Sequence, residues 1–250
     1  MELTLIIKTV LSSLQDGSIP ACIIGEIALN YYNVPRVVHD IEICVPKSLL
    51  REATSILCST GRFRLVKKKE YDIYGEYKRG FPTLMTTDKD PLVVLFPDTY
   101  FFLCPVSHNI VSYEGIPHIV YSHEILDLVP TDEVQQLPMP YLAPFFVGLC
   151  RRFLESRDVM ARIAAEQLVD GMRLDEEWAQ INLSEASPEV RKLATMLISQ
   201  RSSRDDEYFG SEELHAAAGF TKVVDLRLIP GSGYSQLQNP SMSSLDFNAV

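Results

Sequence analysis

Ala21-Cys22-Ile23-Ile24-Gly25-Glu26-Ile27-Ala28-Leu29, continuing through Pro35 and Arg36 to Asp40-Ile41-Glu42-Ile43-Cys44-Val45-Pro46, is the stretch that decides the fold. A short apolar run ended by a glycine predicts a strand closed by a tight turn, and Ile27, Ala28, Tyr31 and Tyr32 then fall at helical spacing. Pro35 stops that helix. From Asp40 to Val45 acids alternate with apolar residues, which predicts a second strand. Its period of two puts Asp40 and Glu42 on one face while Ile41 and Ile43 point to the core. Two acids close to a glycine turn suit a divalent cation whose remaining ligands are triphosphate oxygens and water, because magnesium prefers few carboxylates plus substrate phosphates. Amides at the helix start suit the phosphate itself.

Before this stretch, Leu3, Ile6, Ile7, Val10, Leu11 and Leu14 are spaced like one face of an amphipathic helix, and the segment lacks the basic start of a signal peptide. After Pro46, the apolar positions Leu49, Leu50, Ala53, Ile56 and Leu57 predict a crossover helix over 47–60. Further strands are expected at 63–66, 92–96, 100–103 and 118–121. From Ser122 onward the period turns helical, with Pro130, Pro138 and Pro140 marking a joint, and helices are expected over 141–155, 158–172, 175–181 and 188–201. The division that follows is an α/β domain over 1–135, a mainly helical domain over 136–229 and a flexible tail over 230–250.

At 250 residues, with 46% hydrophobic and 22% charged side chains, the chain can bury a core of its own, which excludes disorder throughout. Its 23 basic and 33 acidic residues leave a net charge of −10, so neither general nucleic-acid binding nor attachment to an anionic membrane is expected. The apolar stretch from Tyr141 to Cys150 is broken by Pro144 and is far shorter than the roughly 20 residues a bilayer crossing needs. Cys22, Cys44, Cys58, Cys104 and Cys150 are odd in number and widely spaced, which fits reduced thiols in a cytoplasmic protein.

The run from Ala21 to Pro46 resembles the nucleotidyltransferase superfamily, the fold shared by antibiotic nucleotidyltransferases, minimal bacterial nucleotidyltransferases, poly(A) polymerases and polymerase beta. Gly25, Ala28, Leu29, Arg36, Asp40 and Glu42 stand in the order of that family's signature, and the chain is similar to stand-alone fungal members with a helical second half. The resemblance implies an α/β, nucleotidyltransferase-like mixed sheet with flanking helices, followed by a mainly helical C-terminal part. It further implies magnesium on Asp40 and Glu42, a nucleoside triphosphate as substrate, and Gly25, Glu26 and Arg36 around the phosphate loop. The acceptor would be a hydroxyl of an unknown small molecule or protein, and the helical half would supply an acceptor wall or the surface of a homodimer. This chain departs from the pattern twice. Glu26 stands where the family usually has Gly or Ser. The third carboxylate, which in the family positions the acceptor hydroxyl and helps hold a second metal, is absent from the expected strand Leu92–Phe96. Asp98 lies just beyond that strand and is the candidate, with Asp90 just before it.

Three functions therefore stand open: an active transferase, a catalytically eroded module that binds a ligand or partner, and a cleft recruited for other acid–base chemistry by Asp40, Glu42 or Glu26. Glu26 also has a plain role, since an acid in the first turn of a helix is favoured by the helix dipole. Arg62, Arg64, Lys67, Lys68, Lys69, Lys78 and Arg79, interleaved with Tyr71, Tyr74 and Tyr77, read as a solvated hairpin face or as a grip on a nucleotide tail. Cys104 with His108, and His118 with His123, make no four-ligand zinc set. Phe145, Phe146, Leu149, Val159, Ile163 and Leu168 form apolar helix faces that packing alone explains, while Trp178, Tyr141 and Tyr208 are candidates to line a pocket.

Overall fold

The computed structural model describes residues 3–67, 75–86, 91–112, 121–201 and 225–234. The amphipathic spacing at the start of the chain folds as α1 (Leu3–Asp16), which buries Ile6, Ile7, Val10 and Leu14. The apolar run forms β1 (Cys22–Ile24), and Gly25 turns the chain directly into α2 (Gly25–Tyr31). The alternating stretch is β2 (Asp40–Val45). A 3₁₀ turn over Lys47–Leu49 leads into α3 (Leu50–Ser59), which is followed by β3 (Phe63–Val66), β4 (Thr83–Thr86) and β5 (Leu92–Pro97).

The five strands form one mixed sheet in the order β1-β2-β5-β4-β3. β2 and β5 are parallel and central, and the other neighbours are antiparallel. Every residue of β2 is buried, acids included, as expected of a parallel strand covered on both faces. The register sets Asp40 beside Leu92, Glu42 beside Val94 and Val45 beside Pro97, with Ile24 of β1 on the other side of Glu42.

The second half is helical: α4 (His123–Leu128), α5 (Thr131–Val134), α6 (Leu142–Ser156), α7 (Val159–Gly171), α8 (Glu176–Asn182) and α9 (Pro188–Ser199). The starts of the last three are fixed by side-chain caps. Asp158 accepts from the Ala161 amide, Asp175 from the Trp178 amide, and Ser187 from the Val190 amide ahead of Pro188. Helix α6 packs against α7 and α9. Among the described residues no helix is long and apolar enough to cross a membrane. The fold class is thus the α/β mixed sheet with flanking helices and a helical C-terminal region expected from the sequence.

Several local expectations are corrected. Tyr100–Leu103, expected as a strand, is a turn in which Phe102 takes a positive φ of 56°, because the chain reverses immediately after β5. Strand β4 was not foreseen, since Thr83-Leu84-Met85-Thr86 is too short to show a period. Of the expected strand 118–121, Tyr121 is not in a strand and the rest lies outside the described residues. Pro230 to Tyr234, placed at the start of the flexible tail, is packed instead: Trp178 Nε1 donates to the Ser232 carbonyl at 2.8 Å and the Tyr31 hydroxyl to Pro230 at 3.0 Å. Residues 235–250 lie outside the described part.

Candidate active site

Asp40 and Glu42 project from the same face of β2 onto the floor of a cleft of about 660 Å³ between the sheet and helices α6 and α7. Gly25, Glu26, Arg36, Asp40 and Glu42 all line it, with Phe145, Leu149 and Met160 of the helical half forming the apolar wall. A second cavity of about 1030 Å³ shares Asp40, Lys78 and Leu92 with the cleft and opens between α3 and β3. The further carboxylate in its lining is Glu76, which pairs with Arg79.

The local sequence explains how the floor is made. Gly25 has φ +66°, a region that L side chains rarely adopt, and a Cβ built there would fall 2.4 Å from Glu42 Oε2. Glycine is therefore required both for the turn and for the close approach of the carboxylate. Asn30, buried in α2, donates to the Glu26 and Arg36 carbonyls at 2.8 and 2.9 Å and accepts from the Arg36 amide at 3.1 Å. This one amide closes the loop that carries Arg36 to the cleft rim. Its signal in the sequence was a polar, poorly helix-forming residue inside an otherwise apolar helix.

The feature that sequence reasoning missed is the cation on the floor. Lys78 Nζ lies 2.7 Å from Asp40 Oδ2 and 3.0 Å from Glu42 Oε1, and the Tyr77 hydroxyl donates to the same Glu42 oxygen. Glu42 Oε2 is buried and has no hydrogen-bond partner among the described residues. Burial pushes the Glu42 carboxyl above its ordinary range, against the pull of the Lys78 ammonium and the Tyr77 hydroxyl. For Lys78 burial acts downward, but the facing Glu42 and Asp40 carboxylates prevail and hold its pKa up. The Tyr77 hydroxyl is pushed up by burial and by Glu42.

Tyr77 and Lys78 belong to a 3₁₀ turn over Glu76–Lys78 that an aromatic cluster presses inward. The Tyr77 ring stacks on Phe96 with centroids 6.0 Å apart, and the Tyr100 hydroxyl donates to the Tyr77 carbonyl at 3.2 Å. Arg152, from the helical half, sits 4.5 Å from the Tyr100 and Phe101 ring centroids and 5.1 Å from that of Tyr77, and pairs with Asp158. The basic cluster is therefore not one surface. Arg62, Arg64 and Lys67 are exposed and Arg79 pairs with Glu76, whereas Lys78 turns into the site; Lys68, Lys69, Tyr71 and Tyr74 lie outside the described residues.

The other candidates divide. Glu26, in the first turn of α2, accepts the His39 amide at 2.7 Å and faces His39 Nδ1 at 2.9 Å, so it ties the helix start to the entry of β2. Arg36 reaches the cleft with Nε buried and unpartnered and with no ion pair among the described residues. Asp98 is not brought to the pair. It sits past the far end of β5, where its amide bonds the Val45 carbonyl at 2.8 Å and its carboxylate accepts the Lys47 amide at 3.1 Å. Five strand residues, roughly 16 Å, separate that point from Asp40. The positions on β5 beside Asp40 and Glu42 are Leu92 and Val94, and Asp90 lies outside the described residues. Among the described residues no group of three or more His, Cys, Asp or Glu side chains is arranged to hold a metal ion. Trp178 is wholly buried core, Tyr141 is partly exposed, and Tyr208 lies outside the described residues.

No family model matches the chain, and no curated protein matches it. Among solved structures, the chain is similar to the antibiotic-resistance factor ANT(2'')-Ia in its solution structure, at 12% identity over 83% of this chain and 97% of that one, with a TM-score of 0.39. A crystal structure of ANT(2'')-Ia in complex with adenylyl-2''-tobramycin matches at 13% identity over 79% and 97%, again with a TM-score of 0.39. JHP933 from Helicobacter pylori matches at 16% identity over 87% and 99%, with a TM-score of 0.24.

Proposed function

We propose that the chain is a nucleotidyltransferase that binds a nucleoside triphosphate in the cleft and moves its nucleoside monophosphate to a hydroxyl of a small molecule or protein. The observation that supports this most is the buried same-face pair Asp40 and Glu42, drawn around a positive charge on the cleft floor. The residues present fit a magnesium ion in charge and donor type: two carboxylates, one Glu42 oxygen buried without a partner, and an ammonium already standing between them. Asp40 and Glu42 would hold the metal, which supplies neutralisation of charge on the transferred phosphoryl group. Arg36, the cleft cation without an ion pair among the described residues, would meet a phosphate oxygen by charge-assisted hydrogen bonds. The apolar wall of Phe145, Leu149 and Met160 would receive the acceptor or the base. Glu26 is engaged with His39 and acts as a positioning residue for the loop.

A second reading is favoured by one specific observation. Leu92 and Val94 occupy the positions on β5 next to the pair, so no carboxylate from that strand can take a proton from an acceptor hydroxyl there. On that reading the cleft binds a ligand or partner without transferring a nucleotide. Calorimetric titration with ATP and GTP, with magnesium and with chelator, separates binding from its absence, and Asp40→Asn tests the role of the pair. Metal-dependent binding lost in Asp40→Asn, followed by transfer of label from α-labelled triphosphate to an acceptor, is the expected result for the enzyme. Binding without transfer across an acceptor panel is the result for the eroded module, and no triphosphate binding at millimolar concentration sinks the first reading.

A further inference from the structure

We propose that Lys78 is the resident cation of the Asp40–Glu42 pair, so that a divalent metal enters the site only in exchange for its ammonium. This rests on the reading of Asp40 and Glu42 as metal-holding carboxylates and goes beyond it, because it assigns the site a built-in competitor. Lys78 Nζ contacts both carboxylates at ion-pair distance, and its side chain is only 9% exposed. No other cation among the described residues lies within ion-pair reach of the two: Arg152 is committed to Asp158, and Arg36 and His39 line the rim without touching them. Two carboxylates buried by a central parallel strand are costly without a counter-charge, and this chain supplies that charge itself.

The manner of supply matters. Asp40 and Glu42 are fixed by the β2–β5 ladder, whereas Lys78 comes from a 3₁₀ turn preceded by Gly75 and followed by Gly80, the latter at φ +87°. A four-carbon stem on a turn between two glycines can withdraw its head without disturbing the sheet. The Glu42 carboxylate is also unevenly engaged, with Oε1 taking both Lys78 and Tyr77 and Oε2 taking nothing among the described residues. Withdrawal of the Lys78 head therefore leaves a carboxylate whose Oε1 keeps only Tyr77 and whose buried Oε2 has no partner among the described residues.

The test uses Mn²⁺ alone as the probe on the full chain, with free metal followed by electron paramagnetic resonance and thermal unfolding recorded in parallel. Lys78→Met is expected to bind Mn²⁺ roughly tenfold or more tighter than wild type, and to gain more in Tm from the metal. Lys78→Met combined with Asp40→Asn is expected to lose that gain. Equal affinity in wild type and Lys78→Met overturns the exchange while leaving the carboxylate pair as a metal site. No binding by any of the three proteins overturns the exchange and the metal-holding reading together. Should Lys78→Met fail to fold, unmodified protein carries the test: labelling of Lys78 by an amine-reactive reagent, read by mass spectrometry, is expected to rise several-fold when Mn²⁺ binds. Unchanged labelling with Mn²⁺ bound overturns the exchange.

Discussion

The two ends of the β2–β5 pair bury carboxylates in opposite ways. At the far end, Asp98 is met by the Lys47 backbone amide, and its own amide and carbonyl bond Val45 and Leu103, so the group is locked into the turn that leaves β5. The same carboxylate, through hydrogen-bonding attraction first and its charge second, holds the exposed Cys104 thiol above its ordinary range. At the near end, Asp40 and Glu42 are met by the side chains of Lys78 and Tyr77, and one Glu42 oxygen is met by nothing among the described residues. Backbone amides cannot leave. A carboxylate satisfied by them is structural, while one satisfied by a flexible side chain keeps the capacity to exchange its partner.

The largest expected break of this contrast is Lys78→Ala, which strands two buried acids and is expected to cost roughly 3–5 kcal/mol in urea unfolding. The cost should depend on pH. Without the ammonium, burial and the facing acids Asp40 and Glu26 outweigh the downward pull of the Tyr77 hydroxyl on Glu42, and its folded pKa lies above the unfolded value of about 4.5. The folded state then holds a proton that the unfolded chain has released, so the variant's stability falls as pH rises through the folded pKa. Unfolding curves at pH 5 and pH 8 check this, and a deficit that shrank toward pH 8 would contradict it.

Next in size is Gly25→Ala, expected to cost about 2 kcal/mol in backbone strain. It should also push Glu42 off the floor, and calorimetry should find metal-dependent triphosphate binding weakened well beyond what the stability loss explains. Asp98→Asn sharpens the comparison from the other end: a loss of about 1–2 kcal/mol is expected, with triphosphate and Mn²⁺ binding unchanged. If binding fell with Asp98→Asn, the two ends would not be independent. Smallest is His39→Ala, whose ring is largely exposed, so its pairing with Glu26 is worth about 0.2–1 kcal/mol. Thermal unfolding should barely register it.

Much of this was legible in the chain. The turn at Gly25, the period of two through Asp40 and Glu42, and the helix-period faces of α1, α3, α6 and α7 are local signals, each carried within a dozen residues. Lys78 was not legible. It sits among basic residues that read as a solvated face, and nothing within its own neighbourhood distinguishes it from Arg79, which does face outward. Tyr77 turns inward because Phe96 and Tyr100, about twenty residues away, stack and bond against it. Arg152 is similarly silent in sequence, since its aromatic partners come from before the helical half begins. Asp98 was drawn into the site by its proximity to the expected strand, but that strand runs parallel to β2. Its C-terminal end therefore lies away from Asp40, and a residue just past it cannot return.

What the sequence by itself determined was the strand, turn, helix and strand from β1 to β2 and the pairing of the two acids on one face, because turns and side-chain alternation depend on neighbours along the chain. What only the tertiary structure decided was the charge that meets those acids. Whether a carboxylate faces a metal, a backbone amide or a lysine depends on which distant segment the sheet register brings within 3 Å, and Coulomb energy at that range outweighs any local preference of the lysine for water.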